Sequence, residues 1–369
     1  MTGLRRFPGA RYRAPVRVLV NALPVGGTSL GVVTENLLSN WDESDDVHVV
    51  LRPGVELDLP ERVTRHRVEE HRLLAMERAV PQLCRQLAAD VMLGVSPATT
   101  IAPLQCPRVI ISHDVRHEML PHQFTYRARL LRGVSYGIGY RRADAIVTVS
   151  HRTREDLLRV HPWLRRQTIT VAQLGADHVL SWPRSEPRGE SHALAFGQWG
   201  NKNVALVLEA WARLQRDGAD PLPLVVVGLP GAERAQVQAD VAERGLAGLV
   251  SVKPWLDPDE FRREFTSASL VVFPSEYEGF GLPAIEAMRL GIRLVVTPDP
   301  ALYEVTGGLA TVMKGWDAAS LARAVGVARS QSAEELERGV MRASEFTWAR
   351  TAGQVRATLA RCLGPAGRA

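Results

Sequence analysis

Twice along this chain, short apolar runs rich in Val, Ile and Leu alternate with stretches whose apolar residues recur at helical spacing. That alternation restricts the fold more than any single residue does. In the first half the runs are VRVLVNAL (16–23), VHVVL (47–51), DVMLGV (90–95), RVIISHD (108–114), AIVTVS (145–150) and TITVAQLG (168–175). In the second they are HALAFGQ, PLVVVG, LVSVKPW, SLVVFPS and RLVVTP. Strands without polar alternation are buried on both faces, and the helices between them supply the crossovers of a parallel sheet. The expectation is an α/β protein of two Rossmann-like, doubly wound domains, residues 1–180 and 192–345. Between them, 181–191 (SWPRSEPRGES) reads as a linker, because its Pro, Ser and charged residues interrupt apolar periodicity. Beyond about residue 316 the chain reads as helices, ending in a C-terminal helix over 346–369. Ligands of open α/β sheets bind beyond the carboxyl ends of the strands, so the expected site is the cleft where the two domains face each other.

Length agrees with two domains, since 369 residues exceed what one small core organises. No uncharged apolar run approaches the roughly 20 residues needed to cross a bilayer. The N-terminus is basic but runs into the first strand without a signal-peptide core, which reads as a cytoplasmic chain. Cys84, Cys106 and Cys362 are odd in number and far apart, so free thiols are expected rather than disulfides or a zinc site. Residues 1–180 carry 24 Lys/Arg against 18 Asp/Glu, so the basic excess lies in the first half of a chain whose total is +5. Nearly all of it is arginine, because lysine occurs only at 202, 253 and 314.

The stretch EYEGFGLPAIEAM, 276–288, crowds three glutamates and two glycines against a proline just after SLVVFPS. Gly279 and Gly281 mark a loop, and Pro283 suits the first position of a helix, which makes Leu282 its cap. A strand, glycine loop and helix start together aim free backbone N–H groups and the positive end of a helix at one place. The N–H groups of Gly279, Phe280, Gly281 and Leu282 are candidates to hold a diphosphate. Glu278 and Glu286 then suit sugar hydroxyls, since a carboxylate accepts from neighbouring hydroxyl groups. Both demands are met by a nucleotide sugar. Glu286 in a first helical turn would also be favoured by the helix dipole alone, by about 0.3–1 kcal/mol.

EGFGLPAIEAM resembles the signature of the GT-B glycosyltransferases, most closely the retaining family 4 enzymes. The resemblance extends in family order through His113–Asp114, VTVSHRTREDL (147–157), NKN (201–203) and FTW (346–348). It implies a GT-B fold and transfer of a sugar from a nucleotide-sugar donor to a glycan, lipid-linked or small-molecule acceptor, with retention and without metal. It also implies that Glu286 binds the donor ribose, that Glu278 contacts the transferred sugar, and that His113 lies beside that sugar. The donor is expected mainly on residues 190–345 and the acceptor mainly on the first domain.

Lys202 follows HALAFGQ and opens a helix, where an ammonium meets donor phosphates. Many relatives place an arginine where this chain has Gln198, so a second cation is missing unless an arginine elsewhere supplies it. Gly26 and Gly27 follow the first strand and either let the backbone approach the donor or form a turn. The acidic cluster DESDD, 42–46, reads as a solvated loop, and DPDEF, 257–261, as an ordinary helix cap rather than a metal site. The arginine-rich segment 126–142 reads either as a basic surface for anionic membrane, at the inner face, or as a solvated face of a core helix. No nucleic-acid partner is implied. Two other readings of the same scaffold are a nucleotide-sugar epimerase or hydrolase and a non-catalytic partner subunit.

Overall fold

The structure, a computed structural model, describes residues 15–26, 29–183, 191–198 and 200–364. The first sheet holds β1 (Arg17–Asn21), β2 (Asp46–Leu51), β3 (Thr64–Arg67), β4 (Val91–Gly94), β5 (Arg108–Ser112), β6 (Ala145–Thr148) and β7 (Thr168–Val171). Their spatial order is β3-β2-β1-β4-β5-β6-β7, and every pairing is parallel. The second sheet holds β8 (Ala193–Phe196), β9 (Leu224–Val227), β10 (Val250–Val252), β11 (Leu270–Phe273), β12 (Arg293–Val296) and β13 (Thr311–Val312). It is likewise parallel, in the order β10-β9-β8-β11-β12-β13. Strand order therefore reverses between β1 and β4 and between β8 and β11, the places where such sheets open a crevice. The fold is the α/β, doubly wound pair expected from the apolar runs.

The strands that the sequence shows clearly are those buried on both faces, such as β11, whose four residues are all buried. Two strands carry no such signal. β3 reads Thr-Arg-His-Arg and is largely exposed at the sheet edge, where backbone pairing to His48–Leu51 holds it. β13 is only two residues long and pairs with Val295 and Val296. Residues 184–190 of the expected linker lie outside the described residues.

Helices follow the second sheet as expected, at Ala318–Arg329, Ala333–Ala343 and Trp348–Cys362. The last crosses back to the first domain. Trp348 N donates to Asp177 Oδ1 at 2.8 Å, and Thr351 Oγ1 to the Gln173 carbonyl at 2.7 Å. Arg356 grips Asp45 through Nε and Nη2 at 2.6 and 2.8 Å. Asp45 also accepts from Val16 N and Trp41 Nε1, both at 3.0 Å, and is buried, so DESDD is not wholly the solvated loop that its composition suggests. A buried carboxylate needs partners, and here the neighbouring Trp41 and the distant Val16 and Arg356 supply them. Asp257 does cap a helix, in a reciprocal arrangement with Glu260.

Candidate active site

The site is assembled by loops that leave the carboxyl ends of β5, β8 and β11. After β11, Pro274 ends the strand and the chain turns back at Gly279 and Gly281. Gly279 must be glycine because an added Cβ would stand 1.8 Å from the His113 carbonyl oxygen, in the opposite domain. Its own carbonyl accepts from Thr153 Oγ1 at 2.9 Å and from Ser150 Oγ, both also in the first domain. Gly281 adopts φ +89°, a left-handed conformation that other residues resist, and caps the helix Leu282–Arg289. The helix thus starts one residue earlier than expected, with Leu282 first and Pro283 second. Glu286 is its fifth residue and lies beyond the first turn, so neither a capping box nor the dipole explains an acid there. Among the described residues, none accepts a hydrogen bond from the N–H of Gly279, Phe280, Gly281 or Leu282.

Lys202 does not open an α-helix. It ends a 3-10 turn, Gly200–Lys202, and the helix begins at Val204 after Asn203 in a left-handed conformation, φ 51°. That turn is tied to the β11 loop. Asn203 Nδ2 donates to the Pro274 carbonyl at 2.8 Å, Asn201 Nδ2 to the Tyr277 carbonyl at 2.9 Å, and Glu276 N to the Asn201 carbonyl at 2.9 Å. Lys202 Nζ consequently reaches Glu278 Oε1 at 2.5 Å and lies 4.1 Å from the centre of the Phe273 ring. Burial pushes the Lys202 pKa down, opposed by the Glu278 charge. Gln198, where a second cation was missing, stands at the end of β8 beside Gly228.

His113 follows β5 directly. Its Nε2 is 2.9 Å from the Val95 carbonyl, which can only accept, so Nε2 carries the proton and Nδ1 is an acceptor. Burial pulls its pKa below the ordinary histidine range and keeps the ring neutral. Three residues on, Arg116 reaches across the cleft to Asn201 Oδ1, beside Lys202. Gln123 Nε2 crosses likewise to Glu276 Oε2 at 2.7 Å. Arg116 was not singled out from sequence, and its only signal was its place just after His113–Asp114.

Glu286 is also held from outside its own domain. His178 Nε2 lies 3.0 Å from its Oε1, and Trp348 Nε1 donates to His178 Nδ1 at 3.0 Å. His178 carried no sequence signal beyond being a histidine. Gly26 follows β1 as expected, yet among the described residues the nearest atom to a Cβ added there is Arg52 Nη2 at 4.0 Å, so none of them crowds it into being glycine. Gly27 lies outside the described residues. Among the described residues, no group of three or more His, Cys, Asp or Glu comes together as a metal site would require.

The structure therefore brings Glu278, Lys202, Glu286, His113 and the four N–H groups to the facing ends of two sheets. Residues 188–335 match the family described as Glycosyl transferases group 1. The chain is 33% identical over 171 residues to the MMP alpha-(1->4)-mannosyltransferase of Mycolicibacterium hassiacum, covering 45% of this chain and 40% of that protein. It is 28% identical over 221 residues to the O-antigen chain mannosyltransferase B of Escherichia coli, covering 56% and 58%. It thus spans about half the length of these curated relatives. The solved structure of Anabaena HepE in complex with UDP and glucose is similar over 94% of this chain and 100% of that one, with TM-score 0.73 and 15% identity. The fold is that of the GT-B glycosyltransferases.

Proposed function

We infer that this chain, a GT-B protein with a group 1 glycosyl transferase domain at residues 188–335, moves a hexosyl group from a nucleotide sugar to an acceptor hydroxyl. The observation that carries this reading is the Lys202–Glu278 pair beside four backbone N–H groups that have no acceptor among the described residues. The N–H groups and Lys202 suit the donor diphosphate, and Glu278 suits hydroxyls of the sugar. Glu286 takes the ribose, and His113 Nδ1 accepts from a hydroxyl of the transferred sugar. Where Gln198 brings no charge, Arg116 supplies a second cation from the opposite domain.

Transfer proceeds with retention, by displacement on the face that the leaving group vacates. The acceptor oxygen bonds to the anomeric carbon, the bond from that carbon to the phosphate oxygen breaks, and the acceptor proton passes to the departing phosphate. On this path the protein positions substrates and stabilises leaving-group charge, so neither a protein nucleophile nor a metal is needed. The acceptor, a glycan or a lipid-linked or small molecule, is assigned to the first domain. The family match and the named transferases favour this over an epimerase, a hydrolase or a non-catalytic subunit.

Thermal unfolding with UDP, GDP, ADP and dTDP, each with magnesium or EDTA, tests the reading. A ligand at about 100 times its dissociation constant adds roughly 2.7 kcal/mol if it binds only the folded state. Stabilisation by one nucleotide, kept in EDTA, is expected; no response to any of the four overturns it. As the two relatives given above are named mannosyltransferases, a mannosyl donor is the first sugar nucleotide to try in turnover.

Peripheral contact with anionic membrane belongs to the same proposal. On the helix Tyr126–Arg142, Tyr126 and Leu131 are each 71% exposed, with Leu130 and Val134 also exposed among Arg127, Arg129 and Arg132. Such a face combines apolar insertion with attraction to anionic headgroups. Among the described residues no helix is long and apolar enough to cross a membrane. Cosedimentation with phosphatidylserine vesicles but not with neutral ones, weakened by L131E, is expected; equal recovery with both removes the membrane reading.

A further inference from the structure

His178 sits between Glu286 and Trp348, and its chemistry there is constrained. An indole N–H donates and cannot accept, so His178 Nδ1, 3.0 Å from Trp348 Nε1, must offer a lone pair. The proton of the neutral ring is then on Nε2, which donates to Glu286 Oε1 at 3.0 Å. Both members of this pair are nearly out of solvent, with side chains 10% and 6% exposed, so the bond is stronger than it would be in water. The ring is further confined by edge contacts to Trp182 and Trp348, at 5.6 and 5.9 Å between centroids. Among the described residues, His178 is the one donor recorded for the Glu286 carboxylate.

We propose that His178 is a positioning residue that orients the Glu286 carboxylate toward the ribose diol of the donor, with its tautomer set by Trp348. The proposal rests on the reading that Glu286 binds ribose. One carboxylate oxygen is held by His178, and the other is presented to the ligand. The relay also joins three separate parts of the chain. His178 belongs to the 3-10 turn Asp177–Ser181, which follows β7 and leads out of the first domain, and Trp348 opens the helix that returns to it. Asp177 of that same turn accepts from Trp348 N at 2.8 Å, so turn and helix are fixed together. Ribose recognition in the second domain is thereby tied to both chain crossings between domains.

The test is the preference for ribo- over 2′-deoxyribonucleotide, measured by calorimetry on the full chain with UDP, GDP and their 2′-deoxy forms. A purely structural role for His178 would weaken both sugars alike, whereas loss of carboxylate orientation removes the preference itself. E286A and H178L are each expected to bind the ribonucleotide about tenfold more weakly, the effect of one lost hydrogen bond to a charged group, and to lose the ribo preference. H178Q is expected to recover most of the loss, because its amide N–H reaches Glu286 while its carbonyl accepts from Trp348. If E286A keeps the wild-type preference, the reading of Glu286 fails and the proposal with it. If E286A loses the preference and folded H178L keeps it, the proposal alone is overturned. Should H178L not fold, W348F reads the same relay: a reduced preference supports it and a full one overturns it.

Discussion

Lys202 Nζ lies 2.5 Å from Glu278 Oε1, with both side chains largely buried where the β8 and β11 loops meet. Each charge compensates the other. Removing one partner of such a pair costs about 3 kcal/mol, because the other charge is left without compensation. K202A and E278A should each lose stability of that order in urea unfolding and at least about 100-fold in turnover. K202M/E278Q should be less destabilised than the sum of the two single changes while remaining inactive. Near-normal turnover in either single variant would remove both residues from the site.

The contact between Gly279 and His113 predicts a strict demand for glycine. G279A would place a methyl 1.8 Å from the His113 carbonyl, so the two domains must separate locally. A loss of about 1–3 kcal/mol is expected, together with most of the turnover. Gly200 provides the control, since among the described residues nothing lies within 4 Å of a Cβ added there. G200A should change stability by less than about 0.5 kcal/mol. Equal melting temperatures for G279A and G200A would contradict the close approach.

Arg116 reaches the Asn201 side chain, which neighbours Lys202, from the domain opposite Gln198. If it supplies leaving-group stabilisation, R116A should lower kcat about 100-fold, beside a loss of roughly 1–3 kcal/mol of stability in the melting curve that its contact with Asn201 accounts for. Q198R introduced into R116A should restore part of that loss, because it returns a cation from the other side. Full turnover in R116A would leave leaving-group charge to Lys202 and the backbone.

Asp299 predicts a dependence of stability on pH. It is buried, caps the helix Pro300–Thr306, and burial raises its pKa from 3.8 to about 6. A raised folded pKa means that folding favours the protonated form. The contribution is complete below pH 3.8 and is lost as pH rises through about 6. Its full size is about 3 kcal/mol at 1.36 kcal/mol per pKa unit. D299N keeps an oxygen for the cap and does not titrate. Relative to D299N, the wild type should lose stability between pH 4.5 and pH 7 in urea unfolding and change little above that. A constant difference would show that Asp299 keeps an ordinary carboxyl.

The chain order by itself determined the two parallel sheets, because strands buried on both faces need unbroken apolar runs and the helices between them need their own period. It also placed the glycine loop at 279–281 and the acids at 278 and 286, since backbone freedom at glycine is local chemistry. It did not show β3, an exposed edge strand held by backbone pairing that any residues can make. Nor did it show the partners that complete the site. Lys202 and Glu278 are 76 residues apart, Arg116 and Asn201 85, and His178 and Glu286 108. Only the packing of one domain's loops against the other's decides such pairs. Desolvation then makes each buried charge or hydrogen-bonding group find a partner wherever the fold has brought one.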